Sequence, residues 1–311
     1  MNRIPVWMDC DTGTSEAVAL MLLHASPELE VKGISTVCGN LTQDQAYWNT
    51  QRINSLMGTA YPVFRGAERP LFSELTIATA FHGENGLCEE QLPIPKTALI
   101  PDKPAWDALY ACAKEYPGAL RLVTTGPLTN IATAFIKYPD LAGLIHSVLT
   151  AGGSTGVGNI TPAAEFNVYT DPHAASIVFR SGAKLFMFGL DVTLQEMLTE
   201  DDLDELEASG TKAGSFVKAC MQCAMKGERC FWLTGISIHG ACPVMYLVHP
   251  DLFEGKMAGV AIETRGTVTR GKTVTDLYSD RKFPFRNATV MLKVNGDRFI
   301  TILKDRILSI G

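Results

Sequence analysis

Two aspartates and a glutamate lie close together near the start of this 311-residue chain, in the run WMDCDTGTSEAVAL at residues 7–20. Asp9 and Asp11 follow an apolar stretch that is typical of a buried strand. Gly13 permits a turn, after which the pattern predicts a helix with Glu16 in its first turn. Carboxylates crowded where a strand gives way to a helix hold a metal ion or activate water. We therefore expect a ligand site here, as at the carboxyl ends of strands in open α/β sheets.

This run resembles the signature of the inosine-uridine-preferring nucleoside hydrolases, which typically reads D-x-D-x-G-x-D-D-A-x-A-L. Asp9, Asp11 and Gly13 fit the signature. Ser15 and Glu16 stand where the family has two aspartates. The chain therefore resembles the family but departs from it at two acidic positions.

Further segments match in the family's order and at compatible spacing. They are VCGN at 37–40, HGENG at 82–86, TTGPLTN at 124–130 and GNITPAAEFNVYTDP at 158–172. IHG at 238–240 resembles the family's late His-Asp pair, although Gly240 replaces the aspartate. The ordered set covers nearly the whole chain, which is identified as a divergent member of the family.

The resemblance implies hydrolysis of the N-glycosidic bond of a nucleoside or related N-riboside to free base and sugar. This reaction needs an activated water, stabilisation of positive charge on the sugar ring, and help for the departing base. Asp11 corresponds to the family's general base. His239 corresponds to the late histidine, which would donate a proton or a hydrogen bond to the base. These two are the predicted catalytic residues.

The resemblance also implies a calcium ion. The family's ligand positions correspond to Asp11, Glu16, the backbone carbonyl of Thr125, and Gly240. Glycine offers no side-chain oxygen, so one ligand is lost, whereas Ca²⁺ takes about 6–8 oxygens. Water or sugar hydroxyls would have to complete the set, and weaker binding than usual is expected.

The residues that resemble the family's sugar-binding set are well preserved. Asn159, Glu165 and Asn167 match its ribose-binding positions, and Asn40 matches the pocket edge. Ser15 replaces an aspartate that accepts a hydrogen bond from a ribose hydroxyl, and a neutral group forms the weaker bond. We therefore expect relaxed discrimination between ribose and 2′-deoxyribose.

Three residues are candidates for the base side of the pocket. His239 would contact the leaving base, His82 would border the base or the 5′ side of the sugar, and Trp232 could stack on a heterocycle. The base itself, whether purine, pyrimidine or modified, is not specified. Its contacts are expected from residues 71–96 and 210–234, two segments rich in turn formers.

Two other functions remain open from the sequence. A nucleoside-binding pseudoenzyme would keep the ribose pocket without the metal, as the departures at Ser15, Glu16 and Gly240 allow. The intact Asp11 and His239 argue against it. A metal-dependent phosphatase would use the acidic strand end, but no basic residue or glycine-rich phosphate cradle accompanies the motif.

Short apolar runs alternate with longer helical patterns, which predicts a single α/β domain over residues 1–311 with a mostly parallel, Rossmann-like sheet flanked by helices. Strands are predicted at residues 4–8, 31–37, 120–124, 148–151 and 185–190, with a later pair at 260–262 and 290–294. Helices are predicted at 16–24, 43–57, 105–115, 128–137, 172–180 and 297–307, with a helical block at 199–225. Thr14 or Ser15 is expected to cap the first helix, and Asp171 the one that begins at Pro172.

The chain is 46% hydrophobic and 19% charged, with a formal net charge of −6. This balance provides no basic surface for a nucleic-acid polymer, so a small substrate is expected. No apolar run approaches the roughly 20 residues that cross a bilayer, and no leader pattern precedes the first strand. We therefore expect a cytoplasmic protein without a membrane partner, and the resemblance adds a homodimer or homotetramer.

Eight cysteines in a chain this long do not form the disulfide framework of a small secreted domain. They are expected to be reduced and mostly buried. Cys220, Cys223 and Cys230 form a C-x2-C-x6-C pattern that either binds zinc or packs one face of a helix. Without a second ligand pair at suitable spacing, helix packing is favoured.

Overall fold

The computed structural model describes residues 3–88, 90, 92–93, 95, 101–228, 235–278 and 282–310. In these ranges the strands are β1 (Ile4–Cys10), β2 (Leu29–Thr36), β3 (Val63–Arg65), β4 (Arg121–Thr124), β5 (Ser147–Ala151), β6 (Leu185–Phe188), β7 (Phe253–Ile262), β8 (Thr273–Asp276) and β9 (Ala288–Val294). The first helices are α1 (Thr14–His24), α2 (Gln43–Leu56), α3 (Thr79–His82), α4 (Ala105–Glu115), α5 (Thr129–Lys137), α6 (Leu141–Leu144) and α7 (Phe166–Thr170). The later helices are α8 (Pro172–Phe179), α9 (Leu190–Thr193), α10 (Glu200–Ala208), α11 (Lys212–Glu228), α12 (Ala241–Val248) and α13 (Gly296–Leu308).

The strands form one sheet in the order β3-β2-β1-β4-β5-β6-β9-β7-β8. Every neighbouring pair is parallel except β9–β7 and β7–β8, so the predicted single α/β domain with a mostly parallel sheet is confirmed. The chain places β2 and β3 on one side of β1 and then returns to place β4 on the other side. The winding therefore reverses between β1 and β4, where open α/β sheets bind their ligands.

Strand β1 is buried on both faces, as a central strand of a parallel sheet should be. Val6 and Met8 join the hydrophobic core that includes α1, α12 and α13, while Trp7 joins the core that includes α4, α5 and α8. Burying each of these side chains contributes about 1.5–3 kcal/mol. The strand that leads into the acidic cluster is therefore held from both sides.

No helix in the described ranges is both long and apolar enough to cross a membrane.

The start of α1 differs from the prediction. The helix begins at Thr14, with Gly13 as the preceding cap residue, so the expected cap at Thr14 or Ser15 is wrong. Glu16 Oε2 instead accepts the backbone N–H of Gly13 at 3.1 Å. This bond satisfies one of the amides that a helix N-terminus leaves free, and it draws Glu16 toward the end of β1.

Most other predicted elements are confirmed within a few residues, but β7 begins at Phe253, well before the predicted strand at 260–262. Asp171 caps α8 by accepting the N–H of Ala174 at 3.0 Å. The strand predicted at 185–190 ends at Phe188 because α9 begins at Leu190. Strands β3 and β8 are absent from the prediction because both are short edge strands without an alternating apolar pattern. Helices α10 and α11 confirm the predicted helical block at 199–225, and α11 extends to Glu228.

The expectation that the cysteines are reduced is wrong for one pair. Cys88, in the loop after α3, and Cys223, on α11, form a disulfide with their Cα atoms 5.9 Å apart. Because the two cysteines are 135 residues apart in the sequence, no local pattern indicated this pairing. The described free cysteines are buried, as expected: Cys10, Cys38, Cys112, Cys220 and Cys242. Cys230 of the possible zinc pattern lies outside the described residues.

Candidate active site

Asp11 follows β1 directly and is fully buried beside the switch point of the sheet. Its Oδ2 accepts the backbone N–H of Asn40 at 2.7 Å, and its Oδ1 has no hydrogen-bond partner in the described structure. A Cβ at Gly39 would collide with Oδ2, and one at Gly126 would lie 3.0 Å from Oδ1. Only glycine lets both loops approach the carboxylate this closely. Burial, and then the charge of Glu16, raise the pKa of Asp11.

Glu16 and Asp11 are linked through Asn40. The side-chain amide of Asn40 donates to Glu16 Oε2 at 2.9 Å, while its backbone N–H donates to Asp11. Ser15 Oγ donates to Glu16 Oε1 at 2.6 Å. Burial raises the pKa of Glu16. The structure thus brings Ser15 and Asn40 to the acidic cluster, where both support carboxylates.

Asp9 belongs to a separate buried network. Its Oδ1 accepts the side-chain amide of Asn130 at 2.7 Å and the hydroxyl of Ser35. Trp7 Nε1 donates to Ser35 Oγ at 2.9 Å, and Asn130 Oδ1 accepts the N–H of Ala67 at 2.7 Å. Burial raises the pKa of Asp9 to about 7, although its two hydrogen bonds oppose that rise. These contacts join β1, β2 and α5, while Asp9 Oδ2 is buried without a hydrogen-bond partner in the described structure.

Thr125 and Gly240 meet on the other side of the switch point. The carbonyl of Thr125 accepts the side-chain amide of Asn167 at 2.9 Å, and the same amide donates to the carbonyl of Ala151 at 3.0 Å. Asn167 therefore joins the ends of β4 and β5. A Cβ built on Gly240 would lie 3.2 Å from Thr125 Cγ2. The residue that replaces the family's aspartate is thus adjacent to a predicted calcium ligand.

Glu165 and Asn159 hold the loop that precedes and enters α7. Glu165 is buried, caps α7, and accepts the backbone N–H groups of Gly153, Asn167 and Val168 at 2.9, 2.9 and 3.1 Å. Burial raises the pKa of Glu165. The exposed Asn159 accepts the N–H of Phe166 at 2.9 Å. The hydrogen bonds that Glu165 and Asn159 accept therefore fix the backbone of the loop before α7.

The two candidate histidines are both held through Nδ1 by threonines that the sequence did not identify as their partners. His82 Nδ1 lies 2.8 Å from Thr14 Oγ1, and His239 Nδ1 lies 2.7 Å from Thr193 Oγ1. Burial, and then the positive charge of His239, lower the pKa of His82 to about 4. Burial alone lowers the pKa of His239 to about 4. Both rings are therefore neutral near pH 7.

Trp232 lies outside the described residues, as do parts of the two segments expected to contact the base. In the described part of the chain, no group of three or more His, Cys, Asp or Glu side chains is arranged to hold a metal ion. The acidic cluster therefore contributes two neighbouring carboxylates, Asp11 and Glu16, together with backbone oxygens.

Comparison with known proteins agrees with this geometry. A sequence model of the family described as inosine-uridine preferring nucleoside hydrolase matches residues 6–301. The pyrimidine-specific ribonucleoside hydrolase RihA of Salmonella newport (strain SL254) is 38% identical over 310 residues, which cover 98% of each chain. The solved structure of a purine-preferring ribonucleoside hydrolase from Gardnerella vaginalis has a TM-score of 0.92 at 30% identity, covering 98% of each chain. A plant nucleoside hydrolase, PpNRh1, has a TM-score of 0.93 at 29% identity, covering 99% of this chain and 100% of the other.

These similarities run over nearly the full length of both partners, so the matched region spans the segments that carry the acidic cluster and the two histidines. The relatives are named as hydrolases, which favours an enzyme over a binding pseudoenzyme. The chain therefore belongs to the inosine-uridine preferring nucleoside hydrolase family, and it is an N-glycosyl hydrolase that acts on nucleosides.

Proposed function

We propose that this enzyme cleaves pyrimidine ribonucleosides, with Asp11 orienting and deprotonating the attacking water. The observation that supports this role is the burial and hydrogen bonding of the Asp11 carboxylate. It is fully buried, anchored through Oδ2 by Asn40, and without a described partner at Oδ1. Because burial raises its pKa, ionised Asp11 is a stronger base than an ordinary aspartate.

The choice of pyrimidines rests on the relatives. RihA, at 38% identity, is named as pyrimidine-specific, whereas the Gardnerella vaginalis enzyme, at 30% identity, is named as purine-preferring. Trp232 and other residues expected near the base are outside the described ranges. Purine ribosides are therefore the competing substrates in the test.

The sugar would be bound by Asn159, Glu165 and Asn167, with Ser15 and Asn40 at the acidic side. A carboxylate has about four lone-pair positions, and Glu165 uses three of them on backbone N–H groups. One position remains for a sugar hydroxyl. The backbone bonds of Glu165 would hold that acceptor in place as the sugar enters.

His82 and His239 would contact the leaving base, and Trp232 would stack on it. A pKa of about 4 keeps both rings neutral at the pH where most enzymes work. A neutral imidazole N–H can donate a hydrogen bond to a base that gains negative charge. The histidines would thus assist departure by hydrogen bonding, without entering the reaction as imidazolium ions.

A calcium ion fits the acidic cluster, because its available donors are hard oxygens. Asp11 Oδ1 is buried without a partner, and Glu16 places a second carboxylate beside it. Asp11, Glu16 and the carbonyl of Thr125 would hold the ion, and Gly240 leaves the set short of the usual number. When bound, the ion would supply positive charge that polarises oxygen atoms at the reaction centre.

The composition and the apolar pattern further support a cytoplasmic protein that binds neither membranes nor nucleic-acid polymers, and the resemblance supports a homodimer or homotetramer. The net charge of −6 agrees with a small neutral substrate. Light scattering of the purified chain would measure its oligomeric state.

Base release from a panel of pyrimidine and purine ribosides, with added Ca²⁺ and with a chelator, tests the proposed function. We expect uridine or cytidine to be cleaved with the highest kcat/KM, and chelation to reduce turnover. Faster cleavage of purine ribosides would contradict the substrate class. Turnover that is unchanged by exhaustive chelation would contradict the calcium assignment.

A further inference from the structure

The ring of His82 lies against the first residue of α1. Thr14 donates its backbone N–H to His82 Nδ1 at 3.2 Å, and Thr14 Oγ1 lies 2.8 Å from the same nitrogen. A Cβ built on Gly13 would come 2.8 Å from Nδ1, so the glycine permits this approach. No other hydrogen bond to the ring is found within the described part of the chain. Nδ1 is therefore the anchored atom, and Nε2 has no partner among the described residues.

The donor at Nδ1 determines where the ring proton resides. A backbone N–H can only donate, so Nδ1 must present its lone pair to Thr14. A neutral imidazole with an unprotonated Nδ1 carries its proton on Nε2. A charged ring would turn an N–H toward the N–H of Thr14 and toward the positive end of the α1 dipole. The buried Thr14 hydroxyl can only donate to the same atom, since Nδ1 has no proton to give.

We propose that Thr14 is a positioning residue that holds His82 as its neutral Nε2–H tautomer, so that His82 offers the nucleoside a hydrogen-bond donor. This inference rests on the proposed function for the placement of His82 at the substrate. His239 differs, because its Nδ1 faces the Thr193 hydroxyl, which can donate or accept. One ring thus has a fixed tautomer, while the tautomer of the other can follow the substrate.

The tautomer can be measured directly from the ring ¹⁵N chemical shifts of the full chain labelled on its six histidines. The spectrum of His82→Gln identifies the His82 signals. At neutral pH we expect a proton on Nε2 of His82 and none on Nδ1. A protonated Nδ1, or a mixture of the two tautomers, would overturn the inference while leaving the hydrolase function standing.

Thr14→Val and Thr14→Ser form a matched pair, because valine removes the hydroxyl and serine keeps it. We expect Thr14→Ser to retain kcat within about twofold, whereas Thr14→Val loses about tenfold in kcat with little change in KM, because the hydroxyl that helps to hold the ring is gone. In both variants His82 should keep its proton on Nε2, since the backbone N–H of residue 14 still donates to Nδ1. Equal kcat in the two variants, or a proton on Nδ1 of His82 in either of them, would overturn the role of Thr14. Failure of the wild type to cleave any nucleoside would instead overturn the proposed function, and the ¹⁵N shifts would still decide the tautomer.

Discussion

Gly240 lies directly against Thr125: a Cβ built on the glycine would stand 3.2 Å from Thr125 Cγ2 and 3.3 Å from the Cβ of Ala19. These contacts are tight but involve small side-chain groups that need to give by only a few tenths of an ångström. A side chain at position 240 would therefore begin next to the proposed calcium site. Position 240 is therefore where the missing carboxylate would be restored.

Gly240→Asp is predicted to bind Ca²⁺ at least about tenfold more tightly than the wild type, because it adds a charged oxygen ligand to an incomplete set. Titration calorimetry with the metal alone measures this without reference to activity. Gly240→Ala is the matched control, since it introduces the same Cβ without a carboxylate. Equal affinity in the two variants would contradict the placement of the site.

The sugar preference is predicted to depend on Ser15. Its hydroxyl donates to Glu16 Oε1 at 2.6 Å, and a neutral group binds a sugar hydroxyl more weakly than a carboxylate does. We expect the wild type to cleave ribosides and 2′-deoxyribosides with kcat/KM values within about tenfold of each other, and Ser15→Asp to shift the ratio toward ribosides by about a further tenfold. Ser15→Asn controls for size. A strong riboside preference in the wild type would contradict this prediction.

The acidic cluster was predictable because its members are neighbours in the chain or follow adjacent parallel strands. Asp11 and Glu16 lie at the β1–α1 junction, and Asn40 follows β2, so the sheet brings them together. The partners of Asp9 and His239 were not predictable. Asn130 is 121 residues from Asp9, and Thr193 is 46 residues from His239.

Those distant partners carry no local signal, because a threonine or asparagine in a short helix is common and its contacts depend on how whole elements pack. The predicted cap of α1 was wrong for a related reason. The sequence offered Thr14 and Ser15 as conventional caps, but Glu16 reaches back to the amide of Gly13 and the helix begins earlier.

Folding stability is predicted to decrease as the pH is lowered, because His239 takes up a proton more readily in the unfolded chain. Burial lowers its pKa from 6.5 to about 4, so between these values the unfolded chain binds more protons and stability rises with pH. As the pH falls through this window, the group removes up to ~1.4 kcal/mol of unfolding free energy per pH unit. His239→Gln lacks this dependence. Denaturant unfolding at several pH values measures the unfolding free energy of both proteins. The unfolding free energy of the wild type should decrease relative to that of the variant as the pH falls. A difference that stays constant with pH would refute the assignment.

The disulfide between Cys88 and Cys223 is predicted to stabilise the fold and the loop beside His82. Cys88 donates its backbone N–H to the carbonyl of His82 at 2.8 Å, so the bond ties this loop to α11. The double variant Cys88→Ser/Cys223→Ser should lose about 2–4 kcal/mol of unfolding free energy under non-reducing conditions. A dithiol reductant should lower the wild type to the same stability and leave the double variant unchanged. Insensitivity of the wild type to the reductant would contradict the prediction.

The most direct test of the central claim is the kcat of Asp11→Asn, measured by base release from the best nucleoside substrate. Loss of a positioned general base should lower kcat by about 10²–10⁴-fold with a much smaller change in KM. Asp9→Asn is the matched control, since it makes the same change two residues away in the structural network, and it should retain kcat within about tenfold. Turnover by folded Asp11→Asn within tenfold of the wild type would contradict the assignment of Asp11 as the group that activates water.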